Sequence, residues 1–164
     1  MKKFKLILLI ASLALSVVAG DSSSSAPFQM RLILDKAADD ADQMTLVHRW
    51  YDINNKEYKK TEEVVFVQKT ALIDQNDVKF AEVSSNSPSF APRISIHFTH
   101  KGAEHMAKVT QDNIGKRLAF VIDGKLYSAP KIETQIRSVA EIAGSFNLQE
   151  AKELVTKINK SLQE

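Results

Sequence analysis

The feature that most constrains this 164-residue chain is a short apolar run that ends in a tight-turn dipeptide. Leu118–Ile122 reads LAFVI without a polar residue, which is typical of a strand that is buried on both faces of a sheet. Asp123 and Gly124 follow at once, and they predict a type I′ hairpin turn because both residue types tolerate positive φ. The run therefore predicts the centre of a β-sheet and a returning partner strand that ends near Pro130.

Alternating apolar and polar residues predict further strands on both sides of this hairpin. The segments 36–43 and 54–60 are small or polar, and we interpret them as connections between strands. Pro88 and Pro92 mark another loop. Strands are expected at 28–34, 46–53, 63–69, 78–83, 94–98 and 141–146, with a further alternating stretch at 132–136.

Two segments carry apolar residues at helical spacing. Thr99 is the predicted N-cap of the first helix, and Gly115 is its predicted C-terminal stop. Asn147 begins the second helix, with Glu150 completing a variant of the capping box. The predicted buried stripes are Ala103, Met106, Ala107, Thr110 and Ile114 in the first helix, and Ala151, Leu154, Val155, Ile158 and Leu162 in the second. Strands outnumber helices, so the predicted fold class is α+β: a mostly antiparallel sheet covered by two helices.

The first twenty residues have the organisation of a secretory signal peptide. Three lysines precede an apolar run at 6–18, and small residues follow at 18–20. The alternative is an uncleaved membrane anchor, but the run is shorter than the roughly 20 apolar residues that span a bilayer. We therefore expect a signal peptide at 1–20 and an exported domain at 28–162, in the periplasm or at the outer face of the cell membrane.

Residues 21–27 form a short Ser-rich segment that is typical of a flexible linker. The sequence VVAG-DSSSS also resembles the signal and serine tether of a bacterial lipoprotein. In such a protein a cysteine carries the lipid, whereas Asp21 occupies that position here. The alternatives are a released extracytoplasmic domain and a membrane-proximal one whose anchor residue differs.

Charge and cysteine content exclude several classes of function. Three of the 22 basic side chains lie in the predicted signal peptide, which leaves 19 against 20 acidic ones. This balanced, mixed-sign chain lacks the clustered basic residues that bind nucleic acid. The absence of cysteine excludes disulfides and zinc–thiolate sites.

Several residues invite a chemical interpretation that the local pattern does not favour. Gly115 and Lys116 lack the first glycine and the hydroxyl of a Walker loop, so we interpret them as a helix end. Ser128 has no Gly-x-Ser-x-Gly turn around it. Asp123 and Glu133 are possible paired carboxylates, but turn geometry already accounts for Asp123. We expect no catalysis and no cofactor.

Metal binding is the alternative for two groups of residues. Three imidazoles, from His97, His100 and His105, suffice for a transition metal, whereas exposed surface histidines are the favoured interpretation. Three acidic residues near position 40 lack the spacing and the distal glutamate of a calcium loop, so they are interpreted as a solvated connection. These acidic residues are Asp39, Asp40 and Asp42. We therefore expect no metal site.

Aromatic residues near a predicted hairpin end are the candidates for binding polypeptides. Exposed rings would hold extended polypeptide segments, and the candidates are Trp50, Tyr51 and Tyr58. Aromatic side chains more often pack into the core. A free edge strand at 28–34 is a second candidate, because it would add a client strand by main-chain pairing.

The segment FTHKGAEHMAKVTQDNIGKRLAFVIDGKLYSAP, with the later IETQI, IAGSF and EAKELV, resembles the P1 head subdomain of SecD and SecDF. Weaker similarity in FQMRL and VFVQKTALIDQNDVKFAEV extends the resemblance to about residues 28–160. The turn at 137–139 departs from the family's glycine-rich one. The matching positions are Phe98, Gly102, Ala103, Thr110, Asn113, Gly115, Lys116, Leu118, Asp123, Gly124, Lys125, Ser128, Ala129, Pro130, Ile142, Gly144, Phe146, Glu150 and Ala151.

The resemblance implies a non-enzymatic extracytoplasmic module that contacts translocating polypeptides or Sec translocon subunits during protein export. The matching residues are expected to be structural. Because the chain shows no membrane helix after the signal, we expect a stand-alone head domain without proton-coupled pulling of its own. The alternative hypothesis is an envelope adaptor that keeps the fold and binds one folded partner.

Overall fold

The computed structural model describes residues 27–52, 54–84 and 92–163. The predicted signal peptide, residues 21–26 of the predicted linker and the loop around Pro88 lie outside these residues. A 3₁₀ turn at Gln75–Asp77 separates the fourth and fifth strands. The elements are β1 (Phe28–Leu34), β2 (Ala41–Asp52), β3 (Glu57–Gln68), β4 (Ile73–Asp74), β5 (Val78–Ser84), β6 (Arg93–Phe98), α1 (His100–Asp112), β7 (Leu118–Ile122), β8 (Lys125–Ser128), β9 (Val139–Ala143) and α2 (Leu148–Ser161).

The larger sheet has the strand order β2-β3-β1-β7-β8, and the short β4 also pairs with β1. All of its pairings are antiparallel. Phe28 and Met30 of β1 are completely buried, and β1 has partners on both of its edges. The expectation that 28–34 forms a free edge strand is therefore wrong, because β7 and the β3–β4 segment occupy the two sides.

The smaller sheet has the order β5-β6-β9. Its inward residues, among them Ile94, Ile96 and Ile142, are fully buried in the main core with one face of each helix. At about 25 cal/mol per Å² of apolar surface, this burial is what holds a chain without disulfides together. The prediction of an α+β fold with mostly antiparallel strands and two helices is confirmed.

A second, smaller core lies inside the curve of the larger sheet. Leu46, Val67 and Val121 are among its buried members, which come from β2, β3, β7, β8 and the residue that follows β8, Ala129. The sheet curls until β2 approaches β8, although the two strands are not paired. Sequence patterns did not predict this second core, because a curl of the whole sheet leaves no local signal.

The hairpin of β2 and β3 is longer than the sequence predicts. β2 begins at Ala41, within the predicted connection, and β3 begins at Glu57, within the predicted polar turn. The two strands pair continuously from Ala41↔Gln68 to Asp52↔Glu57. Most side chains in the outer part of the hairpin are exposed. Polar residues therefore occupy both faces of these strands, and the alternation of apolar and polar residues that would predict a strand is lost.

Three other predictions are corrected. The alternating stretch 132–136 is not a strand: Ile132 is buried, but the segment is irregular apart from an isolated bridge at Lys131. β9 begins at Val139, two residues before the predicted strand, and pairs with β6. Ile114 is 56% exposed because α1 already ends at Asp112, which takes Ile114 out of the helical repeat.

The turn and cap predictions are confirmed. Asp123 and Gly124 both have positive φ, 48° and 72°, as a type I′ turn requires. Thr99 caps α1 by accepting the N–H of Gly102. Asn147 and Glu150 form the capping box of α2.

Candidate functional site

The residues that carry the family resemblance lie mainly at joints between elements. Asn113 donates its side-chain amide to the Val109 carbonyl oxygen at 2.8 Å, and Lys116 Nζ donates to Asn113 Oδ1 at 3.0 Å. Gly115, with φ 86°, turns the chain from α1 into β7. These contacts satisfy the end of the helix, and they leave the lysine engaged with its own turn.

Ser128 and Gly144 lie where the two sheets meet. The Ser128 hydroxyl donates to the Ala143 carbonyl oxygen at 2.6 Å, which joins β8 to the end of β9. A Cβ on Gly144 would overlap the ring of Phe146, whose exposed fraction is 8%. The Ser128 hydroxyl is therefore hydrogen-bonded to a main-chain carbonyl oxygen and not to a side chain that could act as a base.

Gly102 and Ala103 begin the buried face of α1. Gly102 packs directly on the main chain of Asp77 in the 3₁₀ turn, where a Cβ would overlap the Asp77 carbonyl group. The same carbonyl oxygen accepts the N–H of Thr99 at 2.9 Å. Ala103 packs beside it against the main core.

The histidines considered as metal ligands each lie against a carboxylate instead. His97 contacts Glu82 at 2.9 Å, and His105 contacts Asp77 at 3.2 Å. His100 lies one helical turn from Glu104. Within 27–52, 54–84 and 92–163, no three His, Cys, Asp or Glu side chains converge in a way that would hold a metal ion.

The acidic candidates are also separated. Asp123 pairs with Lys157 of α2 at 2.8 Å, and this carboxylate raises the pKa of Lys157. Asp42 pairs with Arg31 at 2.9 Å, while Asp39 and Asp40 lie exposed in the turn before β2.

The aromatic candidates lie in the outer part of the β2–β3 hairpin. Trp50 is 44% exposed, and Tyr58 is 83% exposed. Tyr51 is opposite Tyr58 in the strand register. Because side chains alternate along a strand, Trp50 shares a face with His48 and Leu46, whereas Tyr58 lies on the other face.

A groove lies between β2 and the end of β8, on the face of the hairpin that carries Trp50. Leu46 to His48 form one wall, and Tyr127 to Pro130 form the other. Ala143 to Ser145 close the side next to β9, and Arg117 also lines the groove. Its volume is about 260 Å³. Burial raises the pKa of Tyr127, so its phenol is neutral at neutral pH.

A tether holds the hairpin at one end of this groove. The backbone N–H of Arg49 donates to Ser145 Oγ at 2.8 Å, and its guanidinium donates to Glu150 Oε1 at 3.1 Å. A backbone hydrogen bond from Asn147, and then the Arg49 guanidinium, hold the pKa of Glu150 below its usual value. The tether therefore fixes β2 to the N-terminus of α2.

An ion network lies at the other end. Arg117 donates Nε to the Ala129 carbonyl oxygen at 3.0 Å and its two terminal nitrogens to both oxygens of Glu63, at 2.6 and 3.2 Å. His48 Nε2 contacts Glu63 Oε2 at 3.1 Å. Arg117 first, then His48, lowers the pKa of Glu63 to about 2. Arg117 thereby links the end of β8 to β3.

Sequence reasoning missed the residues of the tether and of the ion network. Arg117 and Glu63 are 54 positions apart, and Arg49 and Ser145 are 96 apart. Each is an ordinary polar residue within its own segment. The one available signal was Ser145, which lies within the matching segment IAGSF but at a position that the family pattern leaves open.

Glu63→Gln is expected to destabilise the domain at neutral pH and to lose this effect in acid. Because folding lowers the pKa of Glu63 from 4.5 to about 2, its contribution is complete above about pH 4.5 and disappears as pH falls towards 2. Glu63 is 39% exposed, so solvent screening limits the contribution to about 1 kcal/mol. Urea unfolding at several pH values measures it.

The matched control is Glu57→Gln, in the same strand, whose carboxylate lies 3.6 Å from Lys59 and is 58% exposed. This control should change the free energy of unfolding by only a few tenths of a kcal/mol. A difference between wild type and Glu63→Gln that stayed constant between pH 7 and pH 2.5 would contradict the assignment.

The groove is smaller than most small-molecule sites. Its 260 Å³ is below the range of about 300–1,000 Å³ that is usual for small-molecule sites. Its lining combines apolar residues such as Leu46 and Pro130 with the polar residues His48, Arg117 and Ser145. The fold and this surface together define a small, two-sheet α+β module that presents a projecting hairpin and a shallow groove.

Known proteins resemble this module. The family model described as SecDF, P1 head subdomain, matches residues 51–162. Protein translocase subunit SecD of Aquifex aeolicus is 39% identical over 88 residues, covering 54% of this chain and 17% of that protein. Protein translocase subunit SecDF of Thermus thermophilus is 45% identical over 64 residues, covering 38% of this chain and 9% of that protein.

Solved structures agree with this match. A crystal structure of SecDF in a super-membrane-facing form superposes with a TM-score of 0.60 and 26% identity, covering 80% of this chain and 18% of that one. A SecDF described as a membrane component that enhances protein export has the same fold, with a TM-score of 0.58 and 24% identity over 80% of this chain and 61% of that one. The chain belongs to the SecDF P1 head subdomain family.

The chain spans less than a fifth of the length of these curated relatives. In the part of the chain that the structure describes, neither helix has the length and apolar character needed to cross a bilayer.

Proposed function

We propose that this domain acts in protein export, as a non-enzymatic extracytoplasmic head that binds translocating polypeptides or Sec translocon subunits beside the membrane. The observation that carries the proposal is the groove between β2 and β8, together with the half-exposed Trp50 two residues beyond His48 in the same strand. Family membership supports the context, since the relatives are named as subunits of a protein translocase.

The geometry favours weak and repeated contacts with an unfolded chain. Tyr127 and Pro130 offer apolar surface for one side chain at a time, and Trp50 offers a half-exposed ring farther along β2. Aromatic rings bury a large area at little conformational cost and accept many partners. A surface of this kind holds an extended segment without selecting a sequence, as a translocation module requires.

Photocrosslinking tests the proposal. A photoreactive amino acid in place of Trp50 is expected to trap many unrelated secreted chains, or Sec subunits, in the native cell envelope. The matched control places the same probe at Lys152, an exposed position of α2. One recurrent folded protein at Trp50 would favour the envelope adaptor instead, and equal yields at the two positions would contradict a specific surface.

Trp50→Ser provides a second test. Removing the ring takes away its apolar contact area, so crosslinking from a probe at Tyr127, in the opposite groove wall, should fall by about tenfold. Because Trp50 is 44% exposed, the thermal midpoint should change by only a few degrees. Unchanged crosslinking would remove Trp50 from the site.

A further inference from the structure

One edge of β3 is open along most of its length. β3 has twelve residues, but β1 pairs with it only at Phe66 and Val67. In the described parts of the chain, residues 58–64 of β3 pair with β2 alone. We call the side of residues 58–64 that faces away from β2 the open edge. Unpaired strand edges are templates for association, and proteins usually block or use them.

The strand register shows which main-chain groups face the open edge. The N–H of Arg49 points away from β3, since it donates to Ser145 Oγ, and Arg49 is opposite Lys60. In an antiparallel pair the hydrogen-bonding direction alternates, so even-numbered residues of β3 direct their N–H and C=O groups to the open edge. Lys60, Glu62 and Val64 therefore present main-chain groups there.

The charge sequence along this edge is complementary to itself. Residues 59–63 read KKTEE, so a two-fold axis at Thr61 places each lysine opposite a glutamate of a second copy. In that register Lys60 pairs with the partner's Glu62. Both are even-numbered, so their main-chain groups also form the hydrogen-bonded pair of an antiparallel ladder. Strand parity and charge thus select the same register.

The apolar residues of the edge fall into the same register. Tyr58 is opposite the partner's Val64, and the symmetry repeats the pair at the other end. Their exposed fractions are 83% and 55% in the single chain. Association covers both side chains, and aromatic to β-branched pairs are among the favourable cross-strand contacts.

We propose that the open edge of β3 joins the open edge of a second copy of this chain, in an antiparallel dimer whose two-fold axis passes through Thr61. About eight main-chain hydrogen bonds form across it, and the two larger sheets become one continuous sheet. In the single chain Lys60 pairs with Glu62 at 3.2 Å. These side chains exchange that contact for the equivalent one with the partner, as an isologous interface requires.

The test is a charge exchange, followed by sedimentation velocity on the purified full chain. K60E and E62K each place like charges opposite each other twice in the dimer, so each should raise the dimer dissociation constant by at least about tenfold. An equimolar mixture of the two variants restores opposite charges at every position and should form a heterodimer. The double variant K60E/E62K should dimerise like the wild type.

Two further variants keep the result interpretable. Glu62→Pro removes one N–H from the open edge while the hairpin bonds to β2 remain, because proline is tolerated on an edge strand. It should abolish the dimer without unfolding the domain, as circular dichroism would show. Lys152→Glu, a charge reversal on α2, should leave the dimer unchanged.

A wild-type chain that stays monomeric at millimolar concentration would overturn the proposal. A dimer that survives Glu62→Pro, or a mixture of K60E and E62K that does not associate, would also overturn it. Suppose that the wild type forms no dimer and that Glu62→Pro reduces crosslinking from the Trp50 probe to secreted chains. The open edge would then accept client strands, and the dimer would be excluded. The sedimentation results do not depend on the proposed export function.

Discussion

Gly102→Ala is expected to lower the free energy of unfolding by about 3 kcal/mol, although alanine is the better helix former. At an exposed helical position this change adds up to about 1 kcal/mol of stability. At Gly102 the new Cβ would lie well under 3.0 Å from the main chain of Asp77, a separation that real Cβ atoms essentially never show. A loss of stability, instead of a gain, would therefore show that α1 packs closely on the 3₁₀ turn at Gly102.

Neither side of this contact can move cheaply. The Asp77 carbonyl oxygen accepts the N–H of Thr99, which is the N-cap of α1. His105 contacts both oxygens of the Asp77 side chain at 3.2 Å. Moving the 3₁₀ turn to admit a methyl group would therefore disturb the cap of the helix and a side-chain contact at the same time.

Thermal unfolding followed by circular dichroism measures the effect, and a loss of about 3 kcal/mol corresponds to a fall of roughly 10 °C in the midpoint. The matched control is Lys101→Ala, an exposed neighbour in the same helix, which should leave the midpoint nearly unchanged. A Gly102→Ala protein as stable as the wild type would show that α1 does not pack this closely.

Thr110→Val is expected to destabilise the domain by about 2 kcal/mol without changing its volume. Thr110 is completely buried, its hydroxyl donates to the Met106 carbonyl oxygen at 2.7 Å, and it accepts the N–H of Ile136 at 2.9 Å. Valine fills the same space but cannot accept that hydrogen bond. The N–H of Ile136 would then be left without this acceptor, which costs about 1–3 kcal/mol.

Guanidinium unfolding measures the change in stability, and amide hydrogen exchange at Ile136 locates it. The control is Thr156→Val on α2, where the hydroxyl donates to the Lys152 carbonyl oxygen at an exposed position. That variant should change the free energy of unfolding by less than about 0.5 kcal/mol. Equal effects of the two substitutions would contradict the assigned role of Thr110 as the link between α1 and the irregular segment before β9.

The central hairpin and both helix starts could be predicted from the sequence because their causes are local. Asp123 and Gly124 fix the turn by tolerating positive φ, and Thr99 and Asn147 fix the helix starts through side chains that bond three residues ahead. The uninterrupted run at 118–122 fixed a buried strand in the same way. Burial and capping at these positions depend on neighbours within a few residues.

The sequence by itself determined the class of the fold, the central strand and the family, because these follow from local patterns and fixed spacings. Only the tertiary structure decided that β1 is an interior strand, that the β2–β3 hairpin projects, and that Arg49 and Arg117 bound a groove. The interior position of β1 and the two ends of the groove depend on contacts between segments 32 to 101 positions apart. Such pairings are set by the packing free energy of the whole sheet, to which no short stretch of sequence contributes enough to reveal the outcome.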